Sequence, residues 1–119
     1  MNEYASALED RLVDFAVRIL NLTEALPKTE VGTHITNQIL RSGTAPAAHY
    51  GEAQSAESKK DFSHKLKIAV KELRETNVWL KIISRKPLLP PTKLNPLLDE
   101  CDQLIAIFSK SIKTTEGHC

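Results

Sequence analysis

The chain has 119 residues, enough for one domain around a single core. Aromatic residues make up 5%, and four glycines stand against six prolines, a composition poor in what an all-β fold requires; 41% hydrophobic and 26% charged residues exclude a disordered chain. Sixteen Lys and Arg against fifteen Asp and Glu leave a net charge of +1, which taken whole excludes a strongly basic protein that coats nucleic acid.

Hydrophobic periodicity points to helix along almost the whole chain. In a first predicted helix, about residues 5–26, Leu8, Leu12, Phe15, Ile19, Leu22 and Leu26 recur at alternating steps of four and three. Pro27 ends it. A second, about residues 29–56, has Glu30 suited to its first turn and continues through Val31, Ile35 and Ile39. Its middle carries Gly43 and Pro46 among small residues from Ser42 to Ala48, which predicts a kink or a break and permits close approach by a neighbour. The polar stretch from Gln54 to Ser58 reads as a connection or a frayed end.

A third predicted helix, about residues 59–85, is the most regular, with Phe62, Leu66, Ala69, Leu73, Thr76, Leu80 and Ile83 on one seam. Pro87, Pro90 and Pro91 mark a short, stiff connection. The fourth, about residues 92–113, has a wide apolar face of Leu94, Leu97, Leu98, Cys101, Leu104, Ile105, Phe108 and Ile112, with fraying expected from Thr114. Four such helices with short connections predict an all-α fold, an antiparallel up-down four-helix bundle in one domain over residues 1–119.

Cys101 falls in an apolar helical pattern and Cys119 is the last residue, so neither spacing nor number suggests a disulfide framework. The start, Met1-Asn2-Glu3-Tyr4, has no basic region, and Glu9 and Asp10 interrupt any apolar run. No segment approaches the length of a membrane span. A reducing cytoplasm and no membrane attachment are expected.

Charge is unevenly shared. Residues 59–86 hold nine basic and three acidic residues, net +6, while the rest of the chain carries −5. At 100° per residue, Lys60, Lys67, Lys71, Arg74, Lys81 and Arg85 lie within about 40° of one line opposite the Phe62–Ile83 seam. Such a stripe suits a phosphate backbone, each neutralised phosphate releasing counterions. The other reading is a solvated outer face paired with acidic neighbours. A flank of the same helix holds His64, Ile68, Glu72, Glu75, Trp79 and Ile82, more apolar surface than one core needs. Either the fourth helix covers it or it forms a subunit interface anchored by Trp79. Buried Glu72 or Glu75 needs a partner, and Arg41 is one candidate.

Catalytic and metal chemistry find no support. A carboxylate-bridged metal pair needs two Glu-x-x-His steps, and the chain offers only Asp61-x-x-His64. A helical ribonuclease pairing Arg with His five to seven residues later is not matched, since Arg41 precedes His49 by eight. There is no Gly-x-Ser-x-Gly and no phosphate-cradling glycine loop. No cofactor, no metal and no enzyme activity are expected.

Two longer patterns carry a resemblance. Leu40-Arg41-Ser42-Gly43-Thr44 is followed by Ala48-His49-Tyr50-Gly51-Glu52-Ala53. Asp61-Phe62-Ser63-His64-Lys65-Leu66 continues through Ala69-Val70-Lys71-Glu72 and Glu75-Thr76 to Trp79-Leu80. Together they resemble the small four-helix-bundle proteins first noticed as products of intervening sequences in 23S ribosomal RNA genes, over Leu8 to Ile112. The resemblance implies an up-down bundle that assembles into a homopentameric ring, and a family without an established enzyme. It also implies kinship with the accessory subunit of diversity-generating retroelements, a basic pentamer that works with a reverse transcriptase and RNA. The family pattern has Asn where this chain has His49 and Arg where it has Gly51, which weakens a nucleic-acid contact from the second helix and leaves the +6 helix as the main basic feature. The expected function is therefore a non-catalytic oligomeric bundle that binds RNA or DNA through that helix. The alternative is a protein-interaction or scaffold subunit, binding a protein partner and no nucleic acid.

Overall fold

Local signals set the helix starts. In the computed structural model, which describes residues 2–117, α1 spans Glu3–Glu24, α2 Glu30–Ala53, α3 Lys59–Arg85 and α4 Pro91–Thr115. Asn2 accepts the Ala5 N–H at 2.8 Å, Thr29 the Gly32 N–H at 3.1 Å, and Ser58 the Asp61 N–H at 3.0 Å. Each cap satisfies a donor that the first turn cannot pair internally, contributing about 1 kcal/mol. α4 has no side-chain cap; Pro91 opens it, where a missing N–H costs no hydrogen bond. The Asn2 cap starts α1 two residues before the periodicity predicts. At the other end of the chain α4 holds through Thr115, whose hydroxyl donates to the Ser111 carbonyl at 2.8 Å, so the fraying expected from Thr114 is not found. Cys119 lies outside the described residues.

α2 passes Gly43 and Pro46 without a break. Pro46 removes one backbone bond, to the Ser42 carbonyl, but the helix is held on both sides by α1 and α3. Gly43 explains the close approach: a Cβ there would sit 2.8 Å from Ile19 of α1.

Each helix packs on its chain neighbours, and α4 closes lightly on α1, giving a four-cornered bundle of 45 × 23 × 22 Å. Cross-helix bonds show the up-down order. Glu52 pairs with Lys65 and Arg41 with Glu72 across α2 and α3; Ser63 bonds Glu116 and Asn77 bonds Asp102 across α3 and α4; Arg11 clasps Glu100 across α1 and α4. The predicted seams form the core, with Leu12, Phe15, Ile19, Leu73, Leu80 and Phe108 at 1% exposure or less. Phe62 of α3 and Leu98, Ile105 and Ile112 of α4 are half-buried at its edge, and Val31, counted into the α2 seam, is 49% exposed. Val31 sits in the first turn of α2, where its neighbours on α3 are Trp79 and Ile82 and not the core. Within the core the hydroxyls of Ser42 and Thr76 bond each other at 2.8 Å, and the Cys101 thiol donates to the Leu73 carbonyl at 3.2 Å. Among the described residues no helix is long and apolar enough to cross a membrane.

Candidate nucleic-acid interface

The same periodicity that buries Leu66, Leu73 and Leu80 turns the opposite line of α3 to solvent. Lys60, Lys67, Lys71, Arg74, Lys81 and Arg85 are all exposed. Lys67 pairs with Glu116 at 2.6 Å, an exposed pair worth well under 1 kcal/mol and easily exchanged for another anion. Among the described residues the other five cations have no ion-pair partner. From Lys60 to Arg85 the stripe runs about 38 Å at 1.5 Å per residue, long enough to meet several successive phosphates. Val78, 53% exposed, interrupts it as the one large apolar side chain. No aromatic ring lies in the stripe to stack a base, so the surface offers charge without base readout.

The adjoining flank of α3 is met by α2, not by α4. Arg41 donates to Glu72 at 2.6 Å and also to Glu75, and the Trp79 indole N–H donates to Glu75 at 3.1 Å. His34 of α2 lies edge-on to the Trp79 ring, with centroids 5.9 Å apart. The Arg41 hydrogen bond holds the Glu75 carboxyl below its usual range, and Glu75 in turn raises Arg41. Glu72 and Glu75, with Ile68 and Trp79, are thus half-buried and the two carboxylates serve an intrachain network. What this leaves open is a groove of about 590 Å³ lined by Val31, His34, Trp79 and Ile82, with Ile82 itself 40% exposed. A second hollow, lined by Val78, Lys81, Ile82, Arg85 and Lys86, shares Ile82 with the first.

Trp79, the only tryptophan, reports on this network. Because the folded carboxyl is depressed, the contribution of Glu75 to stability is present above its unfolded value and is lost as pH falls through the folded one. Trp79 emission is expected to change along an acid limb centred below the ordinary Glu value of 4.5, and Arg41→Gln is expected to move that limb upward. A fluorescence titration of both proteins with coincident midpoints would contradict the assignment.

Three residues with catalytic potential are held in other roles or set apart. Burial pushes the Cys101 thiol up to about 12, so it carries no thiolate at neutral pH. Arg41 is engaged by two carboxylates, and His49 lies two turns away along α2, about 12 Å, too far to share one phosphate with it. Among the described residues no three His, Cys, Asp or Glu side chains come together as a metal site. The α2 wall of the groove was not visible in the sequence, since Val31 fits the core seam by spacing and His34 has no periodic partner.

The model of the 23S rRNA-intervening sequence protein family matches residues 9–110. No curated protein matches the chain. Among solved structures, the chain is similar to a protein with unknown function from the S23 ribosomal protein family of Bacteroides thetaiotaomicron VPI-5482, determined at 1.70 Å. The two are 33% identical with a TM-score of 0.85, over 92% of this chain and 97% of the other.

Proposed function

Because the chain belongs to the 23S rRNA-intervening sequence protein family, we propose that it is a non-catalytic, oligomeric bundle that binds RNA or DNA through the outer face of α3. The observation that carries this reading is the stripe itself: six exposed cations in line, five of them without an ionic partner among the described residues. In a homo-oligomer, a pentamer by family resemblance, the stripe repeats with the symmetry, and weak single contacts become multivalent. The free, buried Cys101 suits a reducing compartment, and a cytoplasmic location is part of the reading.

Binding through four to six phosphate contacts per subunit weakens about 10²- to 10³-fold between 50 and 200 mM salt. A mobility-shift titration at those two concentrations is expected to give that loss, with little preference among sequences of equal length. Replacing Lys67, Lys71 and Arg74 together by Glu is expected to abolish the shift. Absence of binding at low salt, or an unchanged affinity in the triple variant, would overturn the proposal.

A second reading is favoured by the groove at Trp79 and Ile82, which is apolar and suits a protein partner better than a phosphate. On that reading the chain is an interaction subunit or scaffold. A protein that co-purifies stoichiometrically after nuclease treatment, with no nucleic-acid binding in the titration, would favour it.

A further inference from the structure

We propose that the outer face of α1 on one copy of this chain seats in the Trp79–Ile82 groove of the next copy, so that subunits join head to tail. The proposal rests on the oligomeric reading above and specifies its contact.

Val13, Val17 and Leu20 are 46%, 46% and 41% exposed. Their spacing places them within an arc of about 60° on the face of α1 turned away from the Leu8–Leu22 seam. Three large apolar side chains side by side on a solvent face form a contiguous patch, the feature that interaction surfaces share. Carboxylates of Glu9, Asp10 and Glu24 flank this row, and none has an ion-pair partner among the described residues. The cations of α1 lie off this row: Arg18 stands about 130° around the helix from its centre, and Arg11 is turned to α4, where it holds Glu100 at 2.7 Å and Gln103 at 2.7 Å. This face is therefore apolar in the centre and acidic at the rim.

The groove on α3 is its complement. Val31, Val78 and Ile82 are 49%, 53% and 40% exposed beside Trp79, and Lys81, Arg85 and Lys86 line the hollow that Ile82 shares. Its centre is apolar; its rim is basic along α3, with Glu30 the acidic residue on the α2 side. The apolar row of α3, Val78 to Ile82, covers four residue steps, about 6 Å of helix, and Arg85 extends the face to about 10 Å, the length from Val13 to Leu20.

Charge and geometry together select the pairing. Two α1 faces set against each other would oppose carboxylates, and two α3 faces would oppose cations; only α1 against α3 brings unlike charges together. α1 and α3 occupy opposite corners of the bundle with no close backbone approach, so one copy presents both outer faces at once to two different neighbours. A contact between unlike faces is heterologous, and it closes into a ring when the rotation per subunit permits. Lys81 and Arg85 then border the joint, while Lys60, Lys67, Lys71 and Arg74 stay available to a polyanion.

The test uses Val17→Glu and Ile82→Glu, both at exposed positions, with far-UV circular dichroism to verify the helices and light scattering to give the mass. The wild type is expected to be multimeric and each variant monomeric. An equimolar mixture of the two is expected to form dimers and nothing larger, because each partner keeps the face that the other has lost. A variant that retains the wild-type mass, or a mixture that stays monomeric, overturns the pairing. A monomeric wild type overturns the oligomeric reading as well, whereas nucleic-acid binding by the variants leaves the α3 stripe standing on its own. Should Val17→Glu lose helicity, the double variant Asp10→Lys with Glu24→Lys probes the same contact through charge, with the same expected loss of mass.

Discussion

Gly32→Ala is expected to lower the stability of the fold by about 2 kcal/mol, the middle of the range for overpacking. An alanine Cβ at this position would sit 1.9 Å from the Pro27 carbonyl oxygen and 2.9 Å from its carbon. Those are backbone atoms of the α1–α2 connection, which cannot swing aside as a side-chain end does. Moving them also disturbs the Thr29 cap, whose hydroxyl accepts the Gly32 N–H at 3.1 Å. The helix-propensity gain of alanine, up to about 1 kcal/mol, offsets only part of this. Thermal unfolding is expected to show a midpoint lower by on the order of 10 °C. Gly51→Ala provides the contrast. There a Cβ would meet only a Glu9 carboxylate oxygen, at an ordinary 3.5 Å, so the propensity term stands nearly alone and the variant is expected to gain about 0.5–1 kcal/mol. Equal midpoints for the two variants would show that the α1–α2 connection yields freely.

Alkaline unfolding is expected to have a component from one thiol. Desolvation by burial is the largest cause of the upward shift of Cys101, from 9.0 to about 12, with Asn77 opposing and Asp102 and Glu100 adding to it. The folded state thus keeps a proton that the unfolded chain gives up. The stabilisation is complete below about pH 9, and it declines as pH rises toward the folded value. By pH 11 the loss amounts to about 3 kcal/mol, at 1.36 kcal/mol per unit. Denaturant unfolding at pH 8 and pH 11 is the measurement. Cys101→Ala is expected to be less stable at pH 8 because of the space it leaves, yet to lose about 3 kcal/mol less between the two pH values. Parallel pH dependence of variant and wild type would remove the thiol from the account.

The helical seams were legible because burial follows one period. Leu8 through Leu26 on α1 and Leu66 through Ile83 on α3 need no information beyond their spacing. The basic stripe was legible for the same reason, as the complement of a seam. Even the Arg41 partnership with Glu72 and Glu75 could be named as a candidate, since two half-buried carboxylates call for a cation. What spacing could not supply was which helix stands beside which face. Trp79 could have turned to α4, and its contact with His34 depends on the angle at which α2 and α3 meet. Val31 satisfies the i, i+4 pattern with Ile35 and yet lies beyond the end of the core, because a period carries no record of where a neighbouring helix stops. Val13, Val17 and Leu20 were hidden by a stronger signal, being a second apolar row in a segment whose first row explains the helix. Pro46 left a kink or a break open, because it weakens a helix locally, while the continuity of α2 is decided by the two helices that clamp it.

The light seam between α4 and α1 bears on how the molecule forms and yields. The three stronger seams join helices adjacent in the chain, across connections of five residues, so they close with little loss of chain entropy and at high speed. Only the α1–α4 seam must bring together segments roughly ninety residues apart, and its clasp is the Arg11–Glu100 pair. α1 is therefore the corner that swings out first in a partial opening, and its amides are the ones to exchange hydrogen soonest. A neighbour seated on Val13, Val17 and Leu20 would brace that loosest corner, so that assembly and the slowing of local unfolding become one event.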